Sequence, residues 1–198
     1  MPESPSPATA SFPHRFIAVE GNIGAGKTTL CQMLHRDFDC RLVLEQFTDN
    51  PFLPLFYENP ERYAFPVELF FMTERHKQLQ EAFSQEDLFQ PLTVSDYIFF
   101  KTLLFARNNL QGAEYRLFHR LFEVLNASAP LPDLLVFLYR SVPDLLRNIH
   151  HRGRSIEKSI KPEYLEGLHR AYWQFLRTQT ALPILLLDVD GVYFWDDE

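Results

Sequence analysis

Residues 21–28 form a glycine-rich segment, Gly21-Asn22-Ile23-Gly24-Ala25-Gly26-Lys27-Thr28, that fits the pattern G-x-x-x-x-G-K-[ST] without a mismatch. Glycines in such a segment let the backbone turn tightly and direct its N–H groups at phosphate oxygens. The Lys27 ammonium can reach the terminal phosphates, and the Thr28 hydroxyl can bind Mg²⁺. The segment therefore predicts a site for a nucleoside triphosphate, and it leaves open how the triphosphate is used.

Two carboxylates follow apolar segments further along the chain. Glu45 comes after residues 41–44, and Asp96 ends the segment 91–96. In an open α/β sheet the ends of strands form the edge where ligands bind. A carboxylate beside a phosphate-binding loop can organise Mg²⁺, so Thr28 and Asp96 are the predicted metal ligands. The position of Glu45 alone fits a solvated charge at a strand end equally well.

A basic pair, Arg152 and Arg154, flanks Gly153 between two predicted helices. Guanidinium groups on a mobile lid can close over triphosphate charge. The alternative is a solvated basic helix end, which the helix dipole also favours. Because the chain is otherwise acidic and a phosphate site needs cations, we favour the lid.

The elements that must position these groups alternate between strand-like and helix-like segments. A buried strand at 16–20 precedes the glycine-rich segment, and a helix to about Phe38 follows it. Further strands are predicted at 41–44, 91–96, 134–139 and 183–188. We therefore expect an α/β fold in three layers, a five-stranded parallel sheet flanked by helices. Residues 1–14 are predicted to form a flexible tail, and residues 15–198 a single domain.

Composition excludes several classes of function. The net charge of −7 argues against broad nucleic-acid binding. No segment approaches the length of a membrane span, so no membrane partner is expected. Cys31 and Cys40 lack metal-ligand spacing, and a reducing, cytoplasmic location is expected.

Four segments together resemble the deoxynucleoside kinase family, which includes deoxycytidine, deoxyguanosine and insect multisubstrate kinases. They are residues 17–29, residues 57–65, Arg152-Gly153-Arg154 and residues 162–166. The resemblance covers nearly all of the chain after the tail. It implies a P-loop kinase fold, ATP and Mg²⁺ as cofactors, and phosphorylation of the 5′-hydroxyl of a deoxynucleoside in nucleotide salvage. It also implies a homodimer built on helices, for which residues 70–71 and 115–122 offer apolar surface.

The resemblance further implies roles for matching residues. ATP would be bound by the glycine-rich segment and the residue after it, namely Gly21, Asn22, Ile23, Gly24, Ala25, Gly26, Lys27, Thr28 and Thr29. Glu45 would act as the catalytic base on the 5′-hydroxyl, and Tyr57 and Glu157 would hold the 3′-hydroxyl. Phe105 would stack on the nucleobase, and Arg75 would lie on the nucleobase side of the pocket. Arg152 and Arg154 would be the lid arginines.

Three positions depart from the family pattern. Ser95-Asp96-Tyr97 stands where the family usually has an acid, Arg and Ser, so the arginine near the 5′-hydroxyl is missing. Glu68 replaces the usual Gln of the base pocket, and Lys101 replaces the usual Asp. We predict an ion pair between Glu68 and Lys101, which would either recognise a base differently or close the pocket. The resemblance is closest to a bacterial subset with a similar Ser-Asp-Tyr string.

Two alternatives stay open from the sequence. A nucleoside monophosphate kinase shares this architecture, but it would need cations for an acceptor phosphate; Arg75 is one candidate, and the acceptor half shows no clear cluster. A nucleotide-binding interaction protein with weakened kinase chemistry would explain the missing arginine. Retention of Lys27, Thr28, Glu45 and Arg154 argues against it.

Overall fold

The computed structural model describes residues 13–46, 50–84, 92–157 and 159–194. Most of the predicted tail at 1–14 and the first residue of the predicted third strand, Pro91, lie outside these ranges. Within them the strands are β1 Phe16–Gly21, β2 Arg41–Val43, β3 Thr93–Ser95, β4 Leu134–Tyr139 and β5 Ile184–Asp188. All neighbouring strands pair in parallel, in the order β2-β3-β1-β4-β5. The predicted five-stranded parallel sheet is confirmed.

Helices alternate with the strands along the chain. They are α1 Lys27–Phe38, α2 Leu53–Glu58, α3 Pro60–Phe83, α4 Lys101–Asn109, α5 Gly112–Asn126, α6 Val142–Arg152 and α7 Pro162–Thr178, with a 3₁₀ turn at Ser155–Glu157. The sequence predicts a helix from Tyr97 to Asn109, but α4 begins four residues later, at Lys101. A buried carboxylate explains the difference, because Glu20 accepts the amide of Ile98 at 2.9 Å and holds this segment out of the helix.

The sheet lies between two apolar layers. Phe16 and Ala18 of β1 pack on one side, against residues of α3, α4, α5 and α7. Ile17 and Val19, which alternate with them, pack on the other side against α1 and α6. Because successive side chains of a strand point to opposite faces, one short apolar strand forms part of both cores.

Glu20 connects the central strand to its surroundings. Its carboxylate is fully buried. It accepts hydrogen bonds from the amides of Gly21 and Ile98, at 3.2 and 2.9 Å, and from the Tyr172 hydroxyl at 2.8 Å. A buried carboxylate is tolerated only with such partners. These bonds fix the start of the glycine-rich loop relative to the segment after β3 and to α7.

Among the described residues, none of the helices combines the length and the apolar character that crossing a membrane requires.

Candidate active site

The glycine-rich loop turns between β1 and α1. Gly21 has a φ of 153°, and a Cβ added there would lie 2.6 Å from the carbonyl oxygen of Leu138. Gly24 has a φ of 83°, and its added Cβ would lie 2.9 Å from the carbonyl oxygen of Leu145. Both the backbone conformation and the close approach of β4 and α6 therefore require glycine.

Lys27 lies inside this loop. Its ammonium donates to the carbonyl oxygens of Gly21 and Asn22, both at 2.9 Å. Its pKa is lowered to about 8, mainly by burial and also by repulsion from Lys101, while the carboxylates of Glu20, Glu45 and Asp96 oppose the shift. The ammonium is thus desolvated and directed at the place where phosphate charge would bind.

Asp96 joins the ends of three neighbouring strands. The Thr28 hydroxyl, at the start of α1, donates to its Oδ2 at 2.6 Å, and the Glu45 amide, after β2, donates to its Oδ1 at 2.7 Å. Hydroxyl and carboxylate oxygens are the ligands that Mg²⁺ prefers. Among the described residues, no group of three or more His, Cys, Asp or Glu side chains is arranged so that it could hold a metal ion.

Two cations bind the Glu45 carboxylate. Arg75 donates through Nε at 2.8 Å and through Nη2 at 2.6 Å to Oε1, and Lys101 donates through Nζ at 2.9 Å to Oε2. Burial raises the pKa of Glu45, but attraction to Lys101 and Arg75 outweighs burial and holds the pKa well below its usual range. Glu45 is therefore ionised at every physiological pH.

The predicted ion pair between Glu68 and Lys101 is wrong. Lys101 binds Glu45, and Glu68 Oε1 accepts from Asn109 Nδ2 at 2.6 Å. The cause is the packing of α3 against α4. Arg75 Nη1 donates to Thr102 at 2.9 Å, while Glu68, two turns earlier on α3, meets Asn109, two turns later on α4. The two helices therefore run antiparallel, with Lys101 level with Arg75.

This packing also brings a cation from α4 to the Glu45 carboxylate. The sequence suggested no replacement for the missing arginine. In the structure, Lys101 occupies one oxygen of Glu45 while Arg75 occupies the other.

A cavity of about 300 Å³ connects these groups. Every predicted catalytic, substrate-binding and metal-binding residue lines it, together with Ile23 and Gly24 of the loop. These residues are Lys27, Thr28, Glu45, Tyr57, Glu68, Arg75, Asp96, Lys101, Phe105, Arg152, Arg154 and Glu157.

Other predicted ATP-binding residues lie away from the cavity lining. Ala25 is buried in the core. The Asn22 side chain donates to the carbonyl oxygen of Leu165 at 2.8 Å and accepts the Ile23 amide at 2.8 Å, so it shapes the loop. A Cβ at Gly26 would lie 2.5 Å from the Phe194 ring. Gly21 and Thr29 also lie outside the lining.

Both predicted lid arginines bind one carboxylate. Arg152, the last residue of α6, and Arg154 donate to opposite oxygens of Glu157, the latter at 3.3 Å. Gly153 between them has a φ of 70°. Burial lowers the pKa of Arg154, and repulsion by Arg152 adds to that effect. The pair brings two cations to the cavity wall near Lys27.

Sequence reasoning missed several lining residues, among them Leu53, Phe56, Val67, Phe71 and Tyr164. One signal could have found Phe71, because Glu68, Phe71 and Arg75 follow helical spacing and share a face. The Phe71 ring lies 5.0 Å from the Arg75 guanidinium. Asn109, the partner of Glu68, carried no signal, because its role depends on how two helices pack.

Sequence comparisons identify a family and relatives of the chain. The sequence model of the deoxynucleoside kinase family matches residues 17–198. A deoxyguanosine kinase of Bacillus subtilis is 38% identical over 182 residues, which cover 89% of this chain and 86% of that protein. A deoxyadenosine kinase of Dictyostelium discoideum is 33% identical, over 87% of this chain and 71% of its own length.

A similar fold occurs in a solved structure. Deoxyadenosine kinase from M. mycoides, with dCMP and dCDP bound, superimposes with a TM-score of 0.80 at 23% identity. The match covers 91% of this chain and 93% of that one. The likeness at this identity supports the P-loop kinase fold. The family match over nearly the whole chain and the sequence relatives show that the chain belongs to the deoxynucleoside kinase family.

Proposed function

We propose that this deoxynucleoside kinase transfers the γ-phosphoryl group of ATP to the 5′-hydroxyl of a deoxynucleoside held beside Glu45. One observation carries the proposal. Glu45 lies between the phosphate-binding groups and the aromatic end of the cavity, since its amide bonds Asp96 and its carboxylate bonds Arg75 and Lys101. An acceptor hydroxyl at Glu45 would face the phosphate-binding loop, while its base extended toward Phe71 and Phe105.

Glu45 accepts the proton of the 5′-hydroxyl in this proposal. Its low pKa makes it a weak base, which matters little because phosphoryl transfer passes through a loose transition state with late proton removal. The carboxylate chiefly aligns the hydroxyl oxygen with the γ-phosphorus, and such alignment contributes much of the rate enhancement of enzymes.

Cations at the other end of the cavity stabilise charge on the transferred group. We assign this role to Lys27, Arg152 and Arg154, because all three line the cavity. Thr28 and Asp96 would hold Mg²⁺, which when bound neutralises charge on the β- and γ-phosphates. Tyr57 and Glu157 would hold the sugar 3′-hydroxyl.

Two observations disfavour the alternatives. A nucleoside monophosphate kinase needs cations for an acceptor phosphate, whereas Arg75 and Lys101 are both bound to Glu45. An interaction protein with weakened chemistry was suggested by the missing arginine, and Lys101 brings a cation to Glu45. A cytoplasmic location, a role in nucleotide salvage and a homodimer belong to the same proposal. The free thiols Cys31 and Cys40 support a reducing compartment.

A transfer assay tests the proposal. Mg²⁺ and radiolabelled ATP are supplied with the four deoxynucleosides and, in parallel, with their monophosphates. We expect label on at least one nucleoside. Label on monophosphates alone would identify the protein as a nucleoside monophosphate kinase. ATP binding without any transfer would favour a nucleotide-binding interaction protein.

Glu45→Gln tests the role of the carboxylate. We expect turnover to fall roughly 10²- to 10⁴-fold, the range for loss of a general base, with ATP affinity retained. Glu81→Gln, an exposed change of the same kind on α3, is the control. Unchanged turnover in Glu45→Gln would remove Glu45 from the chemistry.

A further inference from the structure

Glu68 is a buried carboxylate with one unused oxygen. Its side chain belongs to a residue only 2% exposed, yet it lines the cavity. Oε1 accepts from Asn109 at 2.6 Å, and Oε2 has no hydrogen-bond partner among the described residues. Because an unpaired buried carboxylate oxygen is costly, its orientation in a substrate cavity points to a ligand that supplies donors.

Contacts place Glu68 at the end of the cavity away from the phosphate-binding loop. Thr28 bonds Asp96, Asp96 bonds the Glu45 amide, and the Glu45 carboxylate bonds Arg75. The Arg75 guanidinium lies 5.0 Å from the Phe71 ring and 5.9 Å from the Phe105 ring. Glu68 lies one turn from Phe71 on the same face of α3, so it borders the aromatic rings and not the phosphate site.

Local charge favours a carboxylate there over a neutral group. Arg75 and Lys101 bring two positive charges to this end, and Glu45 neutralises one of them. An ionised Glu68 balances the other. Burial raises the pKa of Glu68 to about 7, and Arg75 and the Asn109 hydrogen bond oppose this shift. A ligand with two donors would favour the ionised form further.

We infer that Glu68 binds the N1–H and 2-amino groups of guanine, and that it makes deoxyguanosine the preferred acceptor. This rests on the proposed function. Guanine is the base that presents two adjacent N–H donors on its Watson–Crick edge, which match the two oxygens of one carboxylate. Adenine and cytosine present a donor beside an acceptor, and thymine a donor between acceptors, so each would place an acceptor against the carboxylate. Oε1 keeps a lone pair for the base while it accepts from Asn109.

The 2-amino group is the part of the ligand to test. We would measure kcat/KM for deoxyguanosine, deoxyinosine, which lacks only this amino group, and deoxyadenosine. The wild-type protein should prefer deoxyguanosine to deoxyinosine by roughly 10- to 100-fold, the range for one good bidentate contact. A preference below about twofold, or deoxyadenosine as the best acceptor, would overturn the inference without any variant.

Glu68→Gln should then remove this discrimination. The Gln amide places an N–H₂ donor against the donors of guanine, whereas it can pair with both groups of adenine. We expect the ratio of kcat/KM for deoxyguanosine to that for deoxyinosine to fall to about one, and kcat/KM for deoxyadenosine to rise. If Glu68 had a purely structural role, kcat/KM would fall equally for all three substrates and the ratio would stay unchanged. That result would contradict the inference. Glu81→Gln is again the matched control.

Binding separates this inference from the proposed function. Calorimetric titration of the wild-type protein with deoxyguanosine and deoxyinosine needs no turnover. Binding that depends on the 2-amino group without phosphorylation would retain the inference and refute the function. If deoxynucleosides are phosphorylated but deoxyguanosine and deoxyinosine bind with equal affinity, the proposed function would stand and the inference would be refuted.

A pH profile gives an independent readout. The ionised carboxylate suits guanine, and the protonated acid, which carries one donor and one acceptor, suits adenine. The ratio of kcat/KM for deoxyguanosine to that for deoxyadenosine should therefore rise as pH rises through about 7, the pKa of Glu68. A flat or falling ratio would contradict the inference. The titratable groups that face Glu68 are Arg75, Glu45, Lys101, Tyr57 and Tyr164.

Discussion

At the scale of single residues, Glu45 shows how a largely buried carboxylate can stay ionised between two cations. Its side chain is 19% exposed, so it still faces the cavity, while Arg75 and Lys101 each hold one oxygen. Lys101, the first residue of α4, supplies one of the two cations that keep this carboxylate ionised. We therefore assign Lys101 as a positioning residue for Glu45.

Lys101→Met tests this assignment. Loss of one charge-assisted hydrogen bond should lower kcat/KM at neutral pH by roughly 10- to 100-fold. It should also raise the pKa of Glu45, since Lys101 holds that pKa down. Activity needs the ionised carboxylate, so the acid limb of the pH profile should move to higher pH. Lys101→Arg should restore the wild-type limb, and an unmoved limb in Lys101→Met would refute the assignment.

At the scale of elements, the sequence could predict what depends on local order. The strand, glycine loop and helix of residues 16–38 follow from hydrophobic pattern and loop chemistry, and acids after β2 and β3 had to meet at one edge of a parallel sheet. The pairing of α3 with α4 could not be predicted, because it depends on how two helices pack. That pairing decides whether Lys101 meets Glu45 or Glu68, and complementary charge alone suggested the wrong partner.

The bounds of elements show the same limit. Pro66 lies in the second turn of α3, where proline disfavours a helix, yet the helix continues to Phe83. The aromatic-rich packing of this helix outweighs that local cost. Conversely, residues 97–100 look helical but remain outside α4, because Glu20 binds the Ile98 amide. In both places a tertiary contact overrides a local preference.

The segment after α6 carries the next prediction, which concerns Glu157. If Glu157 accepts the sugar 3′-hydroxyl, Glu157→Gln should lower activity on a deoxynucleoside more than on its 2′,3′-dideoxy analogue. If it only holds Arg152 and Arg154, both acceptors should lose activity equally. We expect the ratio of the two kcat/KM values to fall by roughly tenfold, as for loss of a hydrogen bond to a charged group. Glu163→Gln, exposed at the start of α7, is the control and should leave the ratio unchanged.

At the scale of the whole molecule, the carboxyl edge of the sheet collects groups from most of the chain. The loop after β1, Glu45 after β2 and Asp96 after β3 are joined by hydrogen bonds. Arg152 and Arg154 reach the same cavity from the other half of the chain. The sheet therefore fixes the end of the cavity at the glycine-rich loop, while α3 and α4 form its aromatic end.

The outer face of α5 leads to a prediction about assembly. Leu117, Leu121 and Val124 are 50%, 38% and 73% exposed, and their spacing puts them on one side of the helix. Phe118 and Phe122, on another face of the helix, are buried in the core of the same chain. A contiguous apolar row on an otherwise well-packed helix suits a two-fold interface with a second copy of this chain. We therefore expect a homodimer by sedimentation velocity.

Charge on this row should separate the subunits. Leu117→Glu combined with Leu121→Glu places like charges opposite each other across a two-fold interface, so the protein should sediment as a monomer. Its circular dichroism should be unchanged, because both side chains point away from the core. Leu131→Glu is the control, since Leu131 is 81% exposed and lies outside α5, and this variant should remain dimeric. A double variant that stays dimeric would show that the interface lies elsewhere. A monomeric wild-type protein would show that α5 does not form a homodimer interface.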